Sequence, residues 1–254
     1  GLLLVVLYIL YLIGVALLQP KKLPALPQAE LGAIEWGRLA RALLPPLLLI
    51  AAVLGSILAG YATPTEAAAV GALGALLLAL GKGQLNLTRL REVANSTTAI
   101  SAMVFMILIG ASLFSLVFRG FGGEALIEGV FAQLPGGVLG AFFVVMLVIF
   151  LLGFILDFIE ITFVVVPIVG PVLLAMGLDP VWLGVMIALN LQTSFLTPPF
   201  GFSLFYLRGV TPRSVPTRVM YKGVLPFIII QLLMLVIAYQ WPALITWLPA
   251  QLYG

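Results

Sequence analysis

Long apolar runs that carry almost no charge constrain this chain more than any other feature. A run of about 20 residues crosses the hydrocarbon core of a bilayer as an α-helix and is too long for a barrel strand. The chain is therefore predicted to be an all-α polytopic membrane protein. The predicted spans lie at about 1–18, 41–61, 65–81, 93–118, 138–156, 158–176, 181–207 and 221–240.

Composition supports a lipid environment and excludes several kinds of chemistry. Hydrophobic residues make up 63% of the 254 positions, and charged residues make up 8%. No water-soluble domain of this size has that balance. These residues include no cysteine or histidine, so they contain no disulfide, thiolate nucleophile, imidazole base or His/Cys metal site. The chain starts at Gly1 without a basic signal region, and a truncated N-terminus is expected.

Basic residues mark the connections that face the cytoplasm under the positive-inside rule. Eleven of the 12 fall in three connections, and Arg119 is the exception. The excess of basic over acidic residues therefore indicates which connections face the cytoplasm, and not a nucleic-acid partner. The eleven are Lys21, Lys22, Arg38, Arg41, Lys82, Arg89, Arg91, Arg208, Arg213, Arg218 and Lys222. The predicted outer side carries Glu66, Glu124, Glu128, Asp179 and the tail 241–254.

Two connections have apolar residues at helical spacing. These are residues 124–134 and residues 31–39. The pattern favours helices that lie along the membrane interface, and the alternative is an ordinary loop.

The runs at 138–156 and 158–176 are compatible with two topologies. Both runs cross the membrane fully, or they form one re-entrant hairpin with its tip near residues 153–160. Asp157 and Glu160 lie in this tip. A carboxylate costs roughly 2.5–3.5 kcal/mol at the centre of a lipid-facing helix, so these acids must sit at an interface or line a wet, protein-walled cavity. An exposed turn with two solvated acids is the simpler alternative.

The first polar cluster, residues 60–69, has a structural interpretation. Thr63 or Thr65 can cap the next helix, Pro64 suits its first turn, and Glu66 favours the positive end of the helix dipole. Gly60 opens the motif.

A second polar cluster interrupts the run at 181–207. Pro198 and Pro199 cannot donate backbone hydrogen bonds, so the helix should break there. The carbonyls of residues 194–197 are expected to lose their partners and become ligands for a hard cation such as Na+. A proline kink with polar residues that join helices is the alternative. The polar side chains nearby are Asn190, Gln192, Thr193, Ser194 and Thr197.

Two of these motifs resemble those of a known family. Gly60-x-Ala-Thr-Pro-Thr-Glu-Ala-Ala-Ala69 and Asn190-Leu-Gln-Thr-Ser-Phe-Leu-Thr-Pro-Pro-Phe-Gly-Phe202 are similar to the large membrane subunit of tripartite ATP-independent periplasmic (TRAP) transporters. The resemblance implies the second inverted repeat of an elevator-type transporter, with a re-entrant hairpin and a broken helix. It implies lead-in and arm helices in residues 1–137, the hairpin and broken helix in 138–207, and a cytoplasmic loop with the last helix in 208–254.

The resemblance also implies a sodium site between the hairpin tip and the broken helix. Most ligands would be backbone carbonyls, with the Thr197 hydroxyl as an addition, and Asp157 is expected to be structural or supporting. The implied sodium ligands are Gly153, Ser194, Thr197 and Phe200. Candidate substrate or supporting contacts are Asp157, Asn190, Thr193, Pro198 and Pro199.

The implied function is Na+-coupled import of small carboxylates across the bacterial inner membrane, with no covalent cofactor. The implied partners are a smaller membrane subunit, a periplasmic substrate-binding protein and the lipid bilayer. An ion channel and a single-component anion carrier remain alternatives. An intramembrane hydrolase would depend on Asp157 and Glu160, which more readily share a helix face than oppose each other across a substrate.

Overall fold

The computed structural model describes residues 1–21, 23, 35–198, 201–212 and 214–253. Within them every regular element is helical. A π-helical turn, Ile161–Val165, joins α7 to α8. The α-helices are α1 Leu2–Leu18, α2 Trp36–Leu58, α3 Pro64–Gly81, α4 Leu87–Gly120, α5 Gly123–Gln133, α6 Gly137–Leu152, α7 Phe158–Glu160, α8 Val166–Ala175, α9 Pro180–Leu196, α10 Phe202–Val210, α11 Thr217–Gln240 and α12 Ala243–Tyr253.

Helix length and composition confirm an all-helical chain with several membrane spans. In the described residues, five helices are long and apolar enough to cross a membrane, or six if the bent pair α5–α6 is one span. Besides α2, α3, α4 and α11, the five include the continuous helix Phe158–Ala175. The predicted run at 1–18 forms α1, and the run at 181–207 is divided between α9 and α10; α1 and α9 have 17 residues each.

The chain forms two compact units, and the smaller one is Val15–Ser101. Its helices α2 and α3 pack closely because two glycines of α3 face α2. A Cβ at Gly74 would collide with Leu49, and one at Gly71 would lie 3.2 Å from Val53. Small residues allow this close approach between membrane helices. No residue of α2 is buried in the structure, as expected for a helix surrounded by lipid.

The larger unit, Gly1–Gly14 with Ala102–Gly254, contains the main core. Buried side chains from α6, α8, α9 and α11 pack together there, and Leu4 of α1 joins them. Phe142 and Ile149 of α6 are almost completely enclosed, as is Leu173 of α8. A smaller cluster of Leu204, Val224 and Ile228 joins α10 to α11. The core therefore holds the predicted hairpin region and the two halves of the interrupted span.

Two short helices flank this core. α5 meets α6 at 115°, and its Phe131 is buried in the core while Leu126 and Val130 stay exposed. The helix predicted at 124–134 is thus present. Of the one predicted at 31–39, residues 31–34 lie outside the described residues, and residues 36–39 form the start of α2. The segment 241–254 was predicted only as a tail, but the helix α12 occupies most of it, with Pro249 inside the helix.

Candidate functional site

The first polar motif forms a complete helix cap. Thr63 is the N-cap of α3, with Pro64 as the first helical residue. The Thr63 amide and hydroxyl each donate to a Glu66 carboxylate oxygen at 2.8 Å. The Glu66 amide donates back to the Thr63 hydroxyl at 3.4 Å. Gly60 ends the preceding turn with a φ of 73°, and Thr65 lies exposed inside α3. This region uses its polar groups to start a helix.

The second motif ends α9 at Leu196, and the chain resumes helical structure at Phe202. Thr197 is extended, with φ −87° and ψ 129°, as expected for a residue before proline. Gly201 has a φ of 40° and lies close to the Thr197 carbonyl, since a Cβ there would be 3.1 Å from that oxygen. Pro199 and Phe200 lie outside the described residues. The last turn of α9 from Ser194 and the described residues after it, Thr197, Pro198 and Gly201, are called the break below.

The expectation that all carbonyls near the break lose their partners is wrong for Ser194. Pro198 has no N–H that could donate to the Ser194 carbonyl, but the Thr197 amide donates to that carbonyl instead at 3.0 Å. The Thr193 carbonyl then accepts from the Thr197 hydroxyl at 2.6 Å. The last turn therefore tightens, and the threonine side chain replaces a missing backbone donor. A second lone pair remains on each carbonyl.

Residues 153–157, called the tip below, reverse the chain between α6 and α7. Amides of residues 154–156 close the turn by donating to Leu151 and Leu152. Asp157 caps α7 by accepting from the Phe158 amide at 2.7 Å. The return path through α8 packs against α6 and α5. This helical hairpin is common to both topologies that the sequence left open.

The tip and the last turn of α9 are in direct contact. Gly153 is buried against Ser194, which is fully buried as well. A Cβ at Gly153 would collide with the Ser194 hydroxyl oxygen and lie 2.9 Å from its Cβ. The Gly153 amide is paired to the Ile149 carbonyl at 3.0 Å, whereas no described residue donates to the Gly153 carbonyl. Glycine is therefore required there, and it presents an available oxygen.

These groups suit a hard monovalent cation better than a multivalent metal. Among the described residues, no three His, Cys, Asp or Glu side chains form a metal-binding group. The Gly153 carbonyl is available, and the Thr197 hydroxyl keeps its lone pairs because its proton is directed to Thr193. Neutral oxygens of this kind replace a hydration shell without fixed charge. Asp157 and Glu160 are both partly exposed, and Asp157 acts as a helix cap.

Two other candidates from the sequence lie on the buried face of α9. Thr193 is completely enclosed and donates to the Leu189 carbonyl of its own helix at 2.7 Å. Asn190 is also buried, and its Nδ2 donates to the Met146 carbonyl of α6 at 2.7 Å. Asn190 additionally lines a cavity of about 490 Å³ between α6, α9 and α11. Pro198 is partly buried after the last turn.

One buried polar residue was not identified from the sequence. Gln231 of α11 is 3% exposed, and its Oε1 has no hydrogen-bond partner in the described structure. The signal was an amide in the middle of the apolar run 221–240, because such residues usually join helices in membranes.

Comparison with known proteins identifies the family. A family model described as "Tripartite ATP-independent periplasmic transporter, DctM component" matches residues 1–244. The C4-dicarboxylate TRAP transporter large permease protein of Pseudomonas aeruginosa is 31% identical over 247 residues, which cover 97% of this chain and 56% of that protein. The sialic acid TRAP transporter large permease protein of Vibrio cholerae is 30% identical over 213 residues, covering 84% of this chain and 48% of the relative.

A third relative carries a different substrate name. The ectoine/5-hydroxyectoine TRAP transporter large permease protein of Ruegeria pomeroyi is 33% identical over 199 residues, covering 78% of this chain and 46% of the relative. The chain spans about half the length of these curated relatives. It belongs to the DctM component family of tripartite ATP-independent periplasmic transporters and is a multi-pass protein of the inner membrane.

Proposed function

We propose that this chain is part of the large permease subunit of a Na+-coupled transporter that imports small organic anions. The observation that carries the proposal is the contact between buried Gly153 and buried Ser194, together with a Gly153 carbonyl to which no described residue donates. A buried carbonyl without a donor costs about 1–3 kcal/mol. A bound cation removes that cost, so the tip has a physical reason to take one up.

The proposed sodium ligands come from the tip and the break. Gly153 and Ser194 offer carbonyl oxygens, and Thr197 offers its hydroxyl. Phe200, the fourth residue assigned by the resemblance, lies outside the described part. Bound Na+ supplies a positive charge that favours a carboxylate in a neighbouring pocket. Coupling requires that the site bind Na+ more tightly in the substrate-loaded state, since equal affinity would shift no equilibrium.

The substrate and partners follow from the family. The relatives named above are permeases for C4-dicarboxylates, sialic acid and ectoines. Each of these molecules carries a carboxylate, so we infer a carboxylate substrate for this chain. A periplasmic binding protein would deliver it, and a smaller membrane subunit would complete the transporter. The larger unit would move with its cargo in an elevator mechanism, with an inverted repeat as its counterpart.

Replacing Thr197 tests the sodium site. In proteoliposomes that contain the complete transporter, Thr197→Ala should raise the half-saturating Na+ concentration for uptake, by roughly tenfold for a lost ligand worth about 1.4 kcal/mol. Thr98→Ala is the matched control, because the exposed Thr98 hydroxyl makes the same kind of bond to the carbonyl four residues earlier, at 2.8 Å. An unchanged Na+ dependence in Thr197→Ala would show that the site assignment is wrong.

A further inference from the structure

The buried amide of Asn190 links two helices that are far apart in sequence. Its Nδ2 donates to the carbonyl of Met146 at 2.7 Å, 44 residues earlier in the chain. Asn190 is 4% exposed and Met146 is 8% exposed. The bond therefore ties α9, which ends at the break, to α6, which ends at the tip. A helical carbonyl can accept this second bond without losing the first.

Three contacts along α6 and α9 show that the helices run parallel. The rings of Phe142 and Trp182 lie 4.9 Å apart, Asn190 reaches Met146, and Gly153 meets Ser194. Each step toward the tip on α6 is also a step toward the break on α9. Sliding one helix past the other by one residue, about 1.5 Å, would therefore displace the tip from the break.

The Asn190 bond is the directional contact among these three. Ring packing tolerates a small slide, but a hydrogen bond weakens steeply when its angle and distance change. A slide would also leave the Asn190 amide without a partner in apolar surroundings, which is costly. The Gly153–Ser194 contact leaves no room for even one additional carbon, so its geometry requires a fixed register.

A direct contact between Asn190 and an anionic substrate fits the structure poorly. The cavity that Asn190 lines is otherwise mainly aromatic and aliphatic, with Phe142, Phe143, Phe150 and Val236 among its walls. No basic residue of the described part of the chain lines it. One of the two N–H groups of the amide is already directed to Met146. The side chain is placed to hold helices together.

The geometry assigns Asn190 as a positioning residue that sets the register of α6 against α9 and so holds the tip carbonyl of Gly153 at the break. This inference rests on the proposed function insofar as that carbonyl is a sodium ligand. It deepens the function, because the Na+ affinity would depend on a residue that does not touch the ion. Asn190 lies one helical turn before Ser194, so a change there is transmitted along a rigid segment.

The test uses Asn190→Ala in the complete transporter, with Gln192→Ala on the exposed side of the same helix as the matched control. Asn190→Ala should raise the half-saturating Na+ concentration roughly threefold to tenfold, the range expected for one buried hydrogen bond, and Gln192→Ala should leave that concentration unchanged. Hydrogen–deuterium exchange of the tip amides should also accelerate in Asn190→Ala and not in Gln192→Ala.

Each outcome decides the proposal. If tip exchange is unchanged in Asn190→Ala, the positioning role is wrong. If exchange accelerates but Na+ half-saturation stays the same, the bond is structural only and the proposal also fails. A rise in the substrate KM at saturating Na+, with unaltered Na+ half-saturation, would make Asn190 a substrate ligand instead. If wild-type uptake does not depend on Na+, the proposed function is wrong. The hydrogen–deuterium exchange result would still decide whether Asn190 holds the register of α6 against α9.

Discussion

Two of the three Thr-Pro pairs in this chain, Thr63-Pro64 and Thr197-Pro198, have similar backbones and different surroundings. Thr63-Pro64 begins α3, and Thr197-Pro198 follows α9. Both threonines are extended, with φ −66° and ψ 161° at Thr63 and φ −87° and ψ 129° at Thr197. The proline imposes this conformation on the residue before it. The local sequence therefore determines the interruption of the helix, but it does not determine its role.

The difference lies in how the polar groups near each pair are satisfied. At Thr63, backbone and side chain form reciprocal bonds with Glu66 on an exposed surface. At Thr197, bonds form only within the last turn of α9, and no described residue donates to the carbonyl of Gly153, the buried glycine that contacts Ser194 in that turn. A helix cap satisfies its own groups, whereas an ion site leaves oxygens available. This distinction separates structural from functional motifs in an apolar chain.

Of the substitutions that compare the two regions, Gly153→Ala should have the largest effect on uptake. The added methyl group collides with Ser194, and overpacking of this kind costs about 1–3 kcal/mol. Na+-driven uptake by the complete transporter should fall roughly tenfold or more. Gly184→Ala on α9 is the control, since nothing lies within 4 Å of a Cβ there. Uptake with wild-type Na+ dependence in Gly153→Ala would show that the tip and α9 are not in this contact.

Each interruption contains a glycine with positive φ, so replacing each glycine by alanine compares the two regions. Gly60→Ala should lower the free energy of unfolding by about 1–2 kcal/mol through backbone strain, because nothing else lies near its Cβ. Gly201→Ala adds a tight contact at 3.1 Å from the Thr197 carbonyl. Thermal unfolding should therefore shift further for Gly201→Ala, and uptake should fall in that variant alone. Equal effects on uptake would contradict the assignment of the break as the functional interruption.

Thr63→Val should have the smallest effect and sharpen the distinction. Loss of the cap should destabilise the protein by about 1 kcal/mol, measured as a lower melting temperature. The half-saturating Na+ concentration should stay at the wild-type value. Thr65→Val, inside the same helix, is the control for the substitution itself. A shift in Na+ affinity in Thr63→Val would place this motif in the ion site and remove the contrast with Thr197.

The helices and the break could be predicted because they depend on local properties. Run length identifies helices that cross a membrane, and the helix α9 ends before Pro198, which carries no N–H. The replacement of the lost bond was harder to predict. The Thr197 amide shifted to the Ser194 carbonyl, a local rearrangement that depends on the detailed geometry of the final turn.

The contacts that build the site are not local. Gly153 and Ser194 lie 41 residues apart, and Asn190 is 44 residues from Met146. Such pairs depend on how several apolar helix faces pack, and the repeated leucine, valine and isoleucine positions do not specify one register. The family resemblance supplied the pairing of the tip with the break, whereas the role of Asn190 and the buried Gln231 required the structure.

The aromatic contact between α6 and α9 has a consequence for the intrinsic tryptophan fluorescence of the protein. Trp182 is 6% exposed, packs against Phe142, and its indole nitrogen donates to the Ala238 carbonyl of α11 at 3.0 Å. The other three tryptophans, by contrast, are more than 60% exposed. The shielded component of the chain's intrinsic fluorescence therefore comes from one indole located where three helices of the larger unit meet. Its emission reports on their packing without any attached label.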